Sequence, residues 1–308
     1  MTARAEVVEW LLAGDVAVAH QTTRDLLHRT APGLRTRIAT EGHGAALLAA
    51  RRSDGHWGRG FYQPKWTSTH YTLLELCNLG LPGDQPAAVE SAALVLAREK
   101  GPDGGLDPSH RAAVSDACIN GMGLRYASWF GAREEDLASL VDVLLARTVV
   151  DGGFNCRHRP PHAPLAHSSL HTTVSVLEGF TSYLAAGHRH RREEVVAAQG
   201  TAVEFVLRHQ LFRSERTGEV IREDFLVPHH PPRWHFDILR GLDCLAGAGV
   251  PPDPRMEAAL EALLARRRRD GTWTARAWPG RTHVPPDPPS RSRWATLTAL
   301  RVLERYAT

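Results

Sequence analysis

The chain has 308 residues, 43% hydrophobic and 23% charged, with a net charge of +3 when histidine is neutral. That is enough for one large core or two modest ones and too little charge to argue for nucleic acid. No apolar run approaches the roughly 18–20 residues that span a bilayer, no signal-like segment opens the chain, and the four cysteines show no disulfide framework; a soluble, cytoplasmic protein is expected.

In chain order, residues 1–50 predict two or three helices, with apolar residues at three- and four-residue steps in "RDLLHR" and "AALLAARR". The same period returns in "AALVLAREK", "LASLVDVLLAR", "VEFVLRHQLF" and "LEALLARRRR". Their basic ends suit last turns, where cations complement the helix dipole. Strand signals are scarce. Between the helices lie Asp-Gly turns: "DGHW" (54–57), "DGGL" (103–106), "DGGF" (151–154) and "DGTW" (270–273). Glycine accepts positive φ there, and aspartate bonds its own backbone. A period of about 50 residues marks an array of supersecondary units. The long gap before the last turn predicts a degenerate copy near "RTGEVI" (216–221).

Each turn leads toward a helix that is apolar nearly all round, at "THYTLLELCNLGL", "SDACINGMGL", "SLHTTVSVLEGF", "RWHFDILRGLDCL" and "RWATLTALRVLE". One helix of each unit is amphipathic and its partner is built for burial, which predicts two concentric rings of helices. Asp-Gly-Gly-Phe/Trp turns feeding inner helices resemble the repeat of the squalene cyclase and protein prenyltransferase β-subunit superfamily. The overall pattern is similar to bacterial prenyltransferase-like proteins. The resemblance covers residues 35–306 and implies an all-α fold, an α/α toroid of five to six helix pairs forming one domain over residues 1–308, with residues 1–50 adding N-terminal helices.

Aligned at their N-terminal ends, the inner helices read His70, Asp116, His171, His235 and Trp294, and two residues on Thr72, Cys118, Thr173, Asp237 and Thr296. In a toroid these ends ring one mouth of a central cavity, and polar groups there are costly unless paired or metal-bound. In the protein prenyltransferases, an Asp-x-Cys opening one inner helix and a histidine opening the next bind zinc. Asp116, Cys118 and His171 match in type and order, so the resemblance implies Zn2+ at these three. With Asp116 at the N-cap the two side chains can converge, the helix terminus favours a thiolate, and three ligands leave an open catalytic position. Cys156 and His167 are reserve ligands.

His70, His235 and Asp237 are expected to line the same cavity as acid–base or substrate-orienting groups. Arg111, Arg233, His230 and Arg213 are the expected substrate contacts, suited to an anionic group. Trp66, Trp234 and Trp294 precede or open inner helices, to pack between the rings or to wall the cavity. The resemblance implies prenyltransferase-type chemistry, in which zinc activates a thiol or water for transfer or hydrolysis on a small molecule, isoprenoid or thiol-containing. The sequence departs from that family where Ala113 replaces a lysine and Ile119 a tyrosine, which weighs against diphosphate binding and protein prenylation. The alternatives are a metal-free cyclase, which lacks the Asp-x-Asp-Asp acid motif here, and a toroid that binds a peptide or ligand without catalysis.

Overall fold

A computed structural model describes residues 3–156, 167–288 and 290–307. The helices are α1 (Ala3–Leu12), α2 (Val16–Asp25), α3 (Pro32–Arg37), α4 (Gly42–Ala49), α5 (Thr69–Leu79), α6 (Pro86–Arg98), α7 (Ala117–Trp129), α8 (Glu134–Leu145), α9 (Leu170–Ala185), α10 (Arg192–Arg208), α11 (Ile238–Gly247), α12 (Glu257–Ala265) and α13 (Arg293–Tyr306). Among the described residues no strand forms beyond isolated bridges. Helices α2, α5, α7, α9, α11 and α13 make the inner ring, and α1, α4, α6, α8, α10 and α12 the outer one. The chain is an α/α toroid, with six helix pairs among the described residues.

The two rings differ as their sequences demand. Outer α8 buries Leu137, Leu140, Val141 and Leu144, one stripe at helical spacing. Each such leucine contributes about 1.5–3 kcal/mol on burial. Inner α9 buries ten residues from Leu170 to Tyr183, covering most of its circumference. The ring closes where Arg301 of α13 pairs with Asp25 of α2 at 2.8 Å. Gln21 of α2 then donates to the Asn78 carbonyl of α5 at 2.9 Å.

The Asp-Gly turns join the rings. Gly55, Gly104, Gly152 and Gly271 take φ of 85°, 85°, 91° and 80°, a conformation that costs glycine nothing. Asp103 and Asp151 each hold two strands of loop together. Asp103 accepts from the backbone N–H groups of Gly105 and Ser115, and Asp151 from those of Gly153 and Ser168. Trp57 and Trp273 donate their indole N–H to Leu47 and Leu263 of the preceding outer helices, at 2.6 and 2.8 Å. The degenerate copy is a turn bridged between Arg213 and Val220, with Gly218 at φ 71°; it mirrors the Thr148–Phe154 bridge of the third turn.

The tightest crossing is α7 on α9. A Cβ on Gly121 would stand 2.6 Å from the Ser175 carbonyl, and one on Gly179 would stand 2.4 Å from the Gly121 carbonyl. Only glycine at both positions allows these backbones to meet. Among the described residues no helix is long and apolar enough to cross a membrane.

Candidate functional site

Each turn docks on the first turns of the next inner helix through a side-chain acceptor. The backbone N–H groups of Trp57, Leu106, Phe154 and Trp273 donate to Thr69, Asn120, Thr173 and Thr296 at 3.0, 2.7, 3.0 and 3.0 Å. Asn120, Thr173 and Thr296 are each the fourth residue of their helix, and this shared position corrects the register expected from sequence. The second helical position holds His70, Cys118, His171, Leu239 and Trp294. Asp116 and Asp237 are N-caps, one step outside their helices. In α7 the equivalent of His171 is therefore Cys118, and His235 precedes α11.

At the mouth formed by these ends, aromatic rings stack in series. His235 lies between Trp234 and Trp278, with centroids 3.7 and 3.5 Å away, and His229 stacks on the other face of Trp278 at 4.1 Å. Trp66 approaches His235 at 6.2 Å and meets Tyr71 edge-on; the hydroxyls of Tyr71 and Tyr62 are 3.1 Å apart. His171 stands edge-on to Trp234, with its ring centroid 5.2 Å away. Its Nδ1 accepts the backbone N–H of Phe236 at 2.6 Å, so in the neutral ring the proton is on Nε2. Burial, then the charges of Arg222 and Arg240, push His171 down to about 4; burial and the neighbouring His171 push His235 down to about 3. Both imidazoles are neutral near pH 7.

The zinc expected at Asp116, Cys118 and His171 finds no preformed cluster among the described residues. Among the described residues, no group of three or more His, Cys, Asp or Glu side chains is placed to hold an ion. His171 has its lone pair facing the Phe236 amide and a proton on its other nitrogen. Cys118 is engaged with Cys156, whose sulfur accepts the Cys118 backbone N–H at 3.0 Å. The hydrogen bond from Cys118 lowers the Cys156 thiol, and the same bond, with burial, raises that of Cys118. The zinc expectation has no support in this arrangement. Reserve ligand His167 is exposed, with its carbonyl bound by Asn155.

The remaining expected residues divide. His70 is fully buried among Phe61, Tyr62, Tyr71 and Tyr126, pushed down by burial to about 3, and its Nε2 has no partner; it is a core ring rather than a proton carrier. Asp237 caps α11 by accepting from the Arg240 backbone N–H, and it anchors the His229 backbone N–H at 2.9 Å. Arg233 is buried in an ion pair with Glu75 at 3.0 Å. His230 stacks on Trp294 and lines the central cavity with it. Arg111 is an exposed loop residue, and Arg213 donates to the Gly218 carbonyl within its own turn.

Sequence reading missed the charged middle of the ring. Glu178 of α9 receives Arg125 of α7 at 2.7 Å and a two-pronged grip from Arg240 of α11 at 2.8 and 3.0 Å. Arg301 pairs with Asp243 and Asp25. The central cavity beneath the mouth is only about 100 Å³, and Arg125, Glu178, Arg240, Asp243 and Arg301 line it. Arg125, Glu178, Asp243 and Arg301 also line a cavity of about 800 Å³ at the opposite end. The ion pairs thus stand between the two ends. The available signal was one charge in each of three otherwise apolar stretches, "GLRYASW", "VLEGF" and "ILRGL".

No family model and no curated protein matches this sequence. Among solved structures, a polysaccharide lyase is similar at 15% identity over 98% of this chain and 96% of that one, with a TM-score of 0.51. The type II terpene cyclase MstE from Scytonema is similar at 16% identity over 88% and 97% of the two chains, with a TM-score of 0.36; its complex with merosterolic acid A gives 0.35. The likeness is one of fold. It places this chain with the α/α toroids, as a ring with an ion-paired middle and a mouth of imidazole, indole, phenol and thiol groups.

Proposed function

We propose that this chain is an enzyme that carries out transfer or hydrolysis on a small organic molecule held at the mouth where the inner helices begin. The observation that supports this reading is His171, half-buried among aromatic rings, with its tautomer set by the Phe236 amide. A neutral imidazole with its proton on Nε2 donates a hydrogen bond to a carbonyl or ester oxygen and polarises it without first releasing a proton. His235, neutral and held between two indoles, supplies the second polar contact. Trp66, Trp234 and Tyr62 offer flat apolar surface to the rest of the substrate, which suits an unsaturated or isoprenoid-like skeleton. The small, charged central cavity keeps the substrate near the mouth rather than deep in the ring.

A cyclase of the terpene type is the second reading. Its support is the pair of indoles Trp66 and Trp234 at the mouth, since an indole ring can stabilise a carbocation. One screen addresses both. Thermal stabilisation would be recorded with polyprenyl alcohols and esters, acyl esters and thioesters, and products of incubation analysed by mass spectrometry, for the parent, His171→Ala and Trp234→Ala. Stabilisation and turnover of an ester class, lost in His171→Ala, supports the main reading. Cyclised polyprenyl products whose yield survives His171→Ala would replace it with the second. Stabilisation by no class would remove the mouth as a small-molecule site.

A further inference from the structure

Two thiols that the proposed chemistry does not use lie side by side at the same mouth. Cys156 follows the third Asp-Gly turn, and Cys118 occupies the first turn of the thirteen-residue α7. The Cys156 sulfur accepts from the Cys118 backbone N–H at 3.0 Å and from the Thr172 hydroxyl at 3.4 Å. Both residues are half-buried, whereas Cys77 and Cys244 are buried. A sulfur that touches the amide nitrogen of Cys118 lies within about a side chain's length of that residue's own sulfur. Two donors converge on the Cys156 sulfur, which marks it as the attacking one of the pair.

We propose that Cys118 and Cys156 form a thiol–disulfide exchange site for low-molecular-weight disulfides, with Cys156 as the attacking sulfur and Cys118 as the resolving one. The Cys156 thiolate attacks one sulfur of the small disulfide. A mixed S–S bond forms, the small S–S bond breaks, and the first small thiolate leaves and takes up the proton that Cys156 had released. Cys118 then gives up its proton and attacks the Cys156 sulfur. The second small thiolate leaves and takes that proton. The protein loses two electrons and two protons, and one small disulfide becomes two small thiols.

The test uses the full chain, reduced, desalted and exposed to oxidised glutathione. Free thiols counted in denaturant are expected to fall from four to two. The intact mass should drop by two hydrogens, and peptide mapping should find Cys118 joined to Cys156. Cys118→Ser is expected to stop at a glutathione adduct on Cys156, and Cys156→Ser to keep its remaining thiols reduced. In the parent, where no variant can confuse folding with reactivity, iodoacetamide at pH 7 should label Cys156 about tenfold faster than Cys77 or Cys244. Four thiols persisting after oxidation, or a disulfide that involves Cys77 or Cys244, would overturn the proposal. So would thiols that stay silent until zinc is chelated, which would restore a metal-held pair. These readouts are independent of any substrate, so failure of the His171 reading leaves them standing.

Discussion

Replacing Gly121 with alanine tests how tightly the inner ring is drawn. The added Cβ would stand 2.6 Å from the Ser175 carbonyl oxygen and 2.8 Å from the Val176 Cα, closer than side chains approach backbone. Both obstacles are backbone of α9, so no rotamer change relieves them, and the helices must move apart. Overpacking of this kind costs about 1–3 kcal/mol. Alanine returns about 1 kcal/mol through its better helix propensity. With the clash at the top of that range, the net loss is about 1–2 kcal/mol. At roughly 2–4 °C per kcal/mol for a chain of this order, the midpoint should fall by about 2–8 °C. The control is Gly200→Ala in outer α10, where a Cβ meets nothing within 4 Å; propensity alone acts there and the midpoint should rise. Thermal melts followed by circular dichroism read both. A Gly121→Ala midpoint at or above the parent's, with Gly200→Ala behaving as stated, would refute the close approach as a constraint.

Glu178→Gln should destabilise by about 3–5 kcal/mol, since it leaves Arg125 and Arg240 facing each other in the ring's middle without their shared carboxylate. Burial raises the Glu178 carboxyl, but the pull of Arg125 and Arg240 outweighs it and holds the group below its usual value of 4.5. A depressed carboxylate contributes stability that is present above the unfolded pKa and lost as pH falls through the folded one. Urea midpoints between pH 7 and 3 should thus fall less steeply below pH 4.5 in the variant than in the parent; parallel curves would contradict the assignment. His70 has the opposite charge type and the same sign: the folded ring stays neutral to about 3 while the unfolded one takes a proton near 6.5, so stability falls as pH drops from 6.5 toward 3. His70→Phe removes that slope together with a buried nitrogen that has no partner, and should match or exceed the parent's stability at pH 5; a variant that loses stability equally at pH 5 and pH 8 would show that the imidazole makes a contact worth keeping.

Much of the fold lay in the sequence because it is local. Asp-Gly pairs every 50 residues or so need only their own backbone, and the three- and four-residue apolar steps need only the helix they belong to. Even the worn copy near 216–221 kept a glycine at positive φ, and it kept its place between the fourth outer and inner helices of the Asp-Gly series. Tertiary structure decided the phase. Asp116 and Cys118 look interchangeable as the residue that opens an inner helix, and the matter is settled by Asn120 reaching back to the Leu106 amide, a contact across fourteen residues. That shift makes Cys118 the counterpart of His171. It puts Cys118 against Cys156, a loop residue without period or motif, and leaves His171 to the Phe236 amide. The Glu178 triad was hidden for the same reason: its three charges lie on three different, largely apolar helices, and only the ring brings them together. Periodicity reports which face of a helix is buried; what that face meets depends on pairings that no single helix contains.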